Sequence, residues 1–290
     1  SGTFGNELAL FTLCRRGQEV VLAESSHIVQ HEAGAAGVIP GVQLRAYIPA
    51  LSYPTWGDIE PRLRRDRDID FPETGCIALE NALSTGEVHP QAEMEAISAA
   101  ARRARIPVHL DGARIFNAAL HLSVEAPRIA AAVDSVMFCL SKGLCAPVGS
   151  LLAGSKDFVE AARYKRKIMG GAMRQAGVLA AAGLVALRSM RARLSEDHEK
   201  ARVLADAFLE TGLVDVQPRP PKINMFFVRF REPRLAGQEG ALVERLGQRG
   251  VRTYPPHDGW VRFVTHHDVR PEAVRQACTI VRETLESFSP

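Results

Sequence analysis

Two charged residues stand where hydrophobic strands run out. The stretch SVMFCLSKGLCAPVGSLLAG, residues 135–154, holds an apolar run at 136–140 with the length and bounds of a buried strand. It continues into Ser141, Lys142 and Gly143, and a second apolar run follows at 148–153. A lysine between two hydrophobic strands is costly unless its amine finds a partner or gives up its charge. Desolvation favours the neutral amine, the nucleophilic form that condenses with carbonyl groups. The stretch PVHLDGAR, residues 107–114, repeats the pattern with an acid, an apolar strand ending at Asp111. The plainer alternative for Lys142 is a strand-end amine that snorkels into solvent.

In an α/β sheet, ligands gather beyond the carboxyl ends of parallel strands. Two such strands ending in Asp111 and Lys142 would set a carboxylate and an amine in one crevice. That pair answers the needs of pyridoxal 5'-phosphate, which takes a lysine at its aldehyde and an acid at its pyridinium nitrogen. A phosphate site is also on offer at the start of the chain. Ser1, Gly2 and Thr3 open a helical pattern with Leu8, Leu10, Phe11 and Leu13, and a small-residue turn at a helix start presents free N–H groups to an anion. An N-cap with no ligand is the alternative there.

The elements that must position these groups alternate. Strands are expected at 19–23, 44–48, 76–80 and 107–111, the third ending in Glu80-Asn81. Between them lie Glu24-Ser25-Ser26-His27, a Gly/Ala-rich turn through Gly37, a helix capped by Asp58 that runs toward Arg67, and an amphipathic helix at 91–105 with Met94, Ile97 and Ala101 on one face. Such alternation predicts an α/β fold with a mostly parallel sheet and helices on both faces. Beyond residue 155 the pattern changes to a basic helix at 158–168 and a long helical tract at 174–209, broken near Ser189 or Ser195. Pro218 to Pro221 mark a boundary, and the remainder reads as strand 223–230, helix 238–248, strand 260–264 and helix 271–288. The expected domains are therefore a large one at 1–210 and a small α+β one at 211–290.

Composition excludes several classes. The 290 residues are 46% hydrophobic and 24% charged, with a net charge of +3 from 36 basic and 33 acidic side chains, so there is no nucleic-acid footprint. The cluster from Arg62 to Asp68 is mixed in sign and reads as a solvated helix end. Five cysteines in no metal spacing suit a reducing cytoplasm, and Cys139 and Cys145 beside Lys142 read as packing residues. No apolar run approaches the ~20 residues that span a bilayer, and the start lacks a signal-peptide pattern. No GxGxxG opens a helix after a first strand, which argues against a dinucleotide site.

In order and spacing, SGTFGN, ESSHI, HLDGAR, CLSKGL with APVGS, and GGAMRQAG resemble the threonine aldolase group of the aromatic amino acid β-eliminating lyases. These are pyridoxal-phosphate enzymes of fold type I, and the resemblance covers nearly the whole chain. It implies that Lys142 holds the cofactor, Asp111 pairs with its ring nitrogen, and His27 stacks on the ring face. Arg114 would reach the phenolate oxygen or the substrate carboxylate, and Ser1, Gly2 and Thr3 would bind the phosphate. Arg174 and Lys167 look like residues lent to a neighbouring subunit's phosphate, which implies a homodimer or homotetramer. Arg262, in VRFVTHHD, matches an arginine that takes the amino-acid carboxylate bidentately. The family usually carries a further N-terminal segment, and its absence before Ser1 is part of the expectation.

The activity so implied is cleavage of the Cα–Cβ bond of a β-hydroxy-α-amino acid, giving glycine and an aldehyde. One position departs from the pattern. The family commonly shows a histidine shortly after the Glu-Asn that ends a strand, whereas this chain reads Glu80-Asn81-Ala82-Leu83-Ser84. Leu83 stands where that histidine would help with the substrate hydroxyl. His27, a phosphate-held water, or His89 would have to replace it. Two rival readings stay open: β-elimination to pyruvate and ammonia, with Lys142 as base, and a cofactor-binding protein without turnover.

Overall fold

The computed structural model describes residues 1–66 and 68–288. Arg67, the expected end of the helix after Asp58, lies outside the described residues. The chain divides into two compact units, Ser1–Ser84 with Val88–Arg191, and Thr85–Glu87 with the chain from Ala192 onward.

The first unit is built on a six-stranded sheet: β1 (Glu19–Ala23), β2 (Gln43–Tyr47), β3 (Thr74–Glu80), β4 (Val108–Asp111), β5 (Ser135–Cys139) and β6 (Ser150–Gly154), in the order β2-β1-β3-β4-β5-β6. The first five run parallel and β6 returns antiparallel on β5. Every residue of β1 and β4 is buried, as are the first six of β3. Strands covered on both faces read as unbroken apolar runs rather than alternations, which is why EVVLA, CIAL and VHL were visible as strands. The mixed α/β class expected from the alternation of elements is the class observed.

This topology fixes where a ligand can sit. β1 has β2 on one side and β3 on the other, so the chain reverses direction there, and the crevice beyond the strand ends opens at that switch point. Glu80 pairs in register with Asp111, and Asp111 with Met137, so β3, β4 and β5 finish nearly level. The first helix, Gly2–Leu13, lies on β4, β5 and β6. A Cβ at Gly5 would come within 2.5 Å of Met137 Cγ, so glycine is what lets the helix lie so close to β5. Gly2 likewise sits against Cys139, at the end of that strand. Ser1, Gly2 and Thr3 are thereby carried to the strand end from which Lys142 follows.

Several local expectations need correcting. Asp58 is not the cap of its helix. Thr55 is the cap of Trp56–Ile59, and Asp58 reaches back to the Thr55 N–H at 2.9 Å, the reciprocal half of a capping box. The 62–68 cluster is not wholly solvated either. Arg64 donates to fully buried Glu19 at 3.1 Å, and the Arg62 guanidinium lies 4.9 Å from the Tyr47 ring centre. Cys145 is exposed in a left-handed turn with φ 60°, whereas the other four cysteines are buried, and all five are free thiols. The 174–209 tract is a helix Gly177–Val185, a wider turn Ala186–Met190 and a separate helix Leu194–Glu210.

The second unit holds an antiparallel sheet of β7 (Val214–Gln217), β8 (Met225–Phe230) and β9 (Val261–Val264), with the helices Leu194–Glu210, Glu239–Gln248 and Pro271–Glu286. Its core centres on Phe208, Phe226 and Phe263, whose ring centres lie 4.8 to 6.1 Å apart. Helix Leu194–Glu210 packs here, on β7, β8 and the last helix, whereas the sequence reading groups residues up to 210 with the larger domain. Ala201, Leu204, Ala205 and Phe208 make an apolar stripe. Such a stripe announces a buried face without saying which sheet will bury it.

Candidate active site

Four neighbouring strand ends, from β1 to β5, carry the candidate groups on the side of the sheet where the switch point opens. Glu80 closes β3, Asp111 closes β4, Lys142 lies three residues past β5, and His27 opens a short helix after β1. The His27 backbone N–H donates to Glu80 Oε2 at 3.0 Å, tying the ends of β1 and β3 together. The His27 ring gives its Nδ1 to Glu32 Oε1 at 2.8 Å. That hydrogen bond is the main reason the imidazole pKa is raised above its ordinary value, with burial opposing it and Asp111 adding to it. The His27 side chain is 31% exposed, so the ring is only partly covered.

Lys142 is half-buried, and its amine pKa is pushed below the usual lysine range. Burial is the largest cause, the Arg114 guanidinium the next, and Cys139, Asp111 and Glu80 pull the other way. The amine, the guanidinium and both acids therefore lie close enough to act on one another beyond the level ends of β3, β4 and β5. Asp111 is 3% exposed. It is steadied by two neutral donors, Ala113 N–H to Oδ1 at 3.0 Å and Asn6 Nδ2 to Oδ2 at 2.7 Å. Glu80 is held by Ser84 Oγ at 2.7 Å, and burial, followed by repulsion from Asp111, pushes its carboxyl up to about 7.

Behind Asp111 runs a buried relay the sequence reading missed. Asn6 donates to Glu32 Oε1 at 2.8 Å and to Asp111, and its Oδ1 accepts from His109 Nε2 at 3.1 Å. The other ring nitrogen of His109 meets Ser135 Oγ at 2.9 Å. Because Asn6 Oδ1 can only accept, the His109 proton sits on Nε2 and Nδ1 takes the serine hydroxyl. Burial drives the His109 pKa down to about 4, so this imidazole is neutral. His27, Glu32 and Asp111 present atoms within 4.8 Å of one another, held so by these bonds. One signal for the relay was available, since His109 and Asp111 are two apart on a strand and therefore share a face.

The remaining expected residues are placed as follows. Ser1 caps the first helix, its Oγ accepting from the Phe4 N–H at 3.3 Å. The N–H groups of Gly2 and Thr3 precede the first helical bond, Gly5 N to Ser1 O at 3.1 Å. Lys167 and Arg174 are exposed on the first unit. Arg262 lies on β9 of the second unit, its guanidinium 4.5 Å from the Tyr254 ring centre. Leu83 is buried at 5% exposure. His89 is fully buried and stacked on Tyr53 with ring centres 5.6 Å apart, and burial lowers its pKa to about 4.

The donor set suits pyridoxal phosphate: an amine biased toward its nucleophilic form, an anchored acid in the same cleft, an imidazole edge, and a helix N-terminus at the end of the strand before the lysine. A parallel α/β sheet carrying such a pair on β4 and just after β5 defines the fold type I class of pyridoxal-phosphate enzymes. The chain belongs to the beta-eliminating lyase family, whose profile matches residues 1–232. It is 39% identical over 275 residues to the probable low-specificity L-threonine aldolase 2 of Arabidopsis thaliana, covering 93% of this chain and 77% of that protein. With the low specificity L-threonine aldolase of Escherichia coli K12 the identity is 38% over 285 residues, covering 98% and 83%. Among solved structures, a putative L-allo-threonine aldolase from Listeria monocytogenes matches with a TM-score of 0.83 over 100% of this chain and 80% of that one. Its 24% identity bears on the fold alone.

Proposed function

We propose that this chain is a pyridoxal-phosphate-dependent lyase that cleaves the Cα–Cβ bond of β-hydroxy-α-amino acids of the threonine type, releasing glycine and an aldehyde. The observation that carries the reading is an amine with a lowered pKa, Lys142, in the same cleft as the anchored acid Asp111. Relatives named threonine aldolases along nearly the whole chain support the choice of bond.

When bound, pyridoxal phosphate supplies a ring that accepts the electron pair of the broken bond. Lys142 holds it through Nζ, in the neutral form that burial and Arg114 favour. Asp111 keeps the proton on the ring nitrogen, its own orientation fixed by Asn6 and Ala113. His27 covers the ring face. With its Nδ1 engaged by Glu32, the lone pair on Nε2 is the base for the substrate hydroxyl, a duty Leu83 cannot perform. Arg114 takes the cofactor's phenolate oxygen or the substrate carboxylate, and Arg262, on the second unit, offers a guanidinium fork of the kind that suits a carboxylate's two oxygens. Ser1, Gly2 and Thr3 bind the phosphate at the start of the first helix, where the helix dipole favours an anion.

The test is a product assay with threonine and with serine. Glycine with the matching aldehyde supports the aldol reading. A 2-oxo acid and ammonia alone would replace it with β-elimination, and cofactor bound without product would leave a binding protein.

The assembly we propose is a homodimer or a pair of such dimers, with Lys167 and Arg174 completing a neighbour's phosphate site. Its support is an exposed apolar run around those two residues, including Tyr164 at 73%, Ile168 at 61%, Met173 at 66% and Val178 at 80% exposure. Exposed apolar clusters of that kind mark interfaces. Light scattering on Val178→Asp, expected to give a smaller species than the native chain, tests it. A cytoplasmic setting is proposed on the five free thiols. Among the described residues no helix is long and apolar enough to cross a membrane.

A further inference from the structure

Behind the groups that face the cleft lies a second acidic pair that the reaction does not use. Glu7 and Glu32 are 0% and 2% exposed, Glu7 follows the Asn6 that donates to Glu32 at 2.8 Å, and Glu32 is the one neighbour that, after burial, raises the Glu7 carboxyl. Glu32 Oε1 accepts from both Asn6 and His27. Its Oε2 and both oxygens of Glu7 have no donor. Two facing carboxylates in a dry site are strongly unfavourable, because each buried charge lacks solvation and each repels the other. One proton between them removes a charge and supplies the missing donor.

We propose that Glu7 and Glu32 share a single proton and that Glu7 is thereby a positioning residue for the cofactor site. Its O–H donates to Glu32 Oε2 and gives Glu32 a third donor, beside Asn6 and His27. Glu32 in turn holds the Nδ1–H of His27 and the Asn6 amide that steadies Asp111. The elements packed on the first helix bring other titratable groups near it: Glu80 on β3, His109 and Asp111 on β4, Cys139 on β5, and Lys165 on the helix Lys156–Ile168. Only Glu32 acts appreciably on Glu7; together with burial, the larger cause, it pushes the Glu7 carboxyl up to about 8. The pair therefore keeps its proton at neutral pH. The inference rests on reading His27 and Asp111 as cofactor-facing groups, and it is tested on cofactor-free protein so that the two ideas fail separately.

Infrared spectra of the cofactor-free native chain and of Glu7→Gln, taken from about pH 6 to about pH 10, isolate the shared proton. The native-minus-variant difference is expected to carry one protonated-carboxyl stretch that disappears with a midpoint of about 8, while the Glu80 signal cancels. A second readout is the His27 imidazole, followed by NMR and assigned by its loss in His27→Gln. In Glu7→Leu the Glu32 Oε2 loses the donor that Glu7 supplied, so the charge held beside His27 changes and its protonation constant shifts about tenfold, one pH unit. Glu7→Gln, whose amide donates as the acid did, is expected to restore it. A difference spectrum without the band, or a His27 titration identical in native and Glu7→Leu protein, overturns the proposal. If Glu7→Leu does not fold, the Glu7→Gln difference band decides alone. Failure to bind pyridoxal phosphate would count against the enzymatic reading and leave both readouts in force.

Discussion

Replacing Asn6 with leucine removes one side chain and three hydrogen bonds at once. Asn6 joins Glu32 at 2.8 Å, Asp111 at 2.7 Å and His109 at 3.1 Å. Asn6 and His109 are fully buried, and Glu32 and Asp111 are 2% and 3% exposed, so water cannot take over. A buried polar group left without its partner costs about 1–3 kcal/mol, with the upper part of that range for charged acceptors. Two carboxylates and one imidazole then sum to about 4–7 kcal/mol, and the apolar gain of a buried leucine returns about 1.5–3 kcal/mol. The expected net loss is about 3 kcal/mol. For a unit of this size each kcal/mol moves the midpoint by about 2–4 °C, so cofactor-free Asn6→Leu protein should melt roughly 10 °C below the native chain in a calorimetric scan. Pyridoxal phosphate binding should weaken as well, because Asp111 loses one of its two neutral donors. A midpoint within about 2 °C of native, with unchanged cofactor affinity, would mean that the relay carries no weight and that the site is held by something else.

Other perturbations have equally definite outcomes. Lys142→Ala should abolish the visible band of covalently held cofactor, and a surviving band would move the attachment to another amine. Arg262→Ala should raise KM for threonine about tenfold or more, as expected for loss of a charged bidentate contact, with kcat nearly kept; an unchanged KM would place the carboxylate elsewhere. Ser84→Ala removes a bond that holds the Glu80 carboxyl down. Because Glu80 keeps its proton in the folded state to about 7, native stability falls as pH rises from the ordinary carboxylate range to that value. In Ser84→Ala that decline should extend to higher pH, which urea titrations at a series of pH values would reveal. Phe208→Ala, at the centre of the second unit's core, should cost about 3–5 kcal/mol in the same titrations.

The strands were legible because their environment leaves a simple trace. Buried on both faces, β1, β3 and β4 tolerate few polar groups in their length, so the charges that close them stand out. Asp111 and Lys142 were legible for that reason, and His27 through its place in ESSHI. Asn6, Glu7 and Glu32 left no such trace. Within an apolar helix, an Asn-Glu step reads as a surface edge, and only contacts 26 and 105 residues away along the chain turn it inward. The break in the 174–209 tract was anticipated, but its stripes could not say that Leu194–Glu210 belongs with the antiparallel sheet. Asp58 was read as a cap because acids favour helix starts; the choice between cap and third residue depended on Thr55, which offers the competing hydroxyl.

The charge balance of the cleft explains why the lysine and its acid do not simply neutralise one another. A bare lysine and aspartate in contact would form an ion pair, and a protonated amine is no nucleophile. Here Asp111 is already engaged by Asn6 and the Ala113 N–H, both neutral. Each of its oxygens has a donor without the lysine and keeps a further lone pair, and burial together with Arg114 outweighs its attraction on the amine. The strand ends thus hold acid and amine in one cleft yet keep them from closing on each other, which leaves Nζ for an aldehyde and the carboxylate for a ring nitrogen. Asn6 is the residue on which that separation turns, which is why its replacement should disturb stability and cofactor binding together.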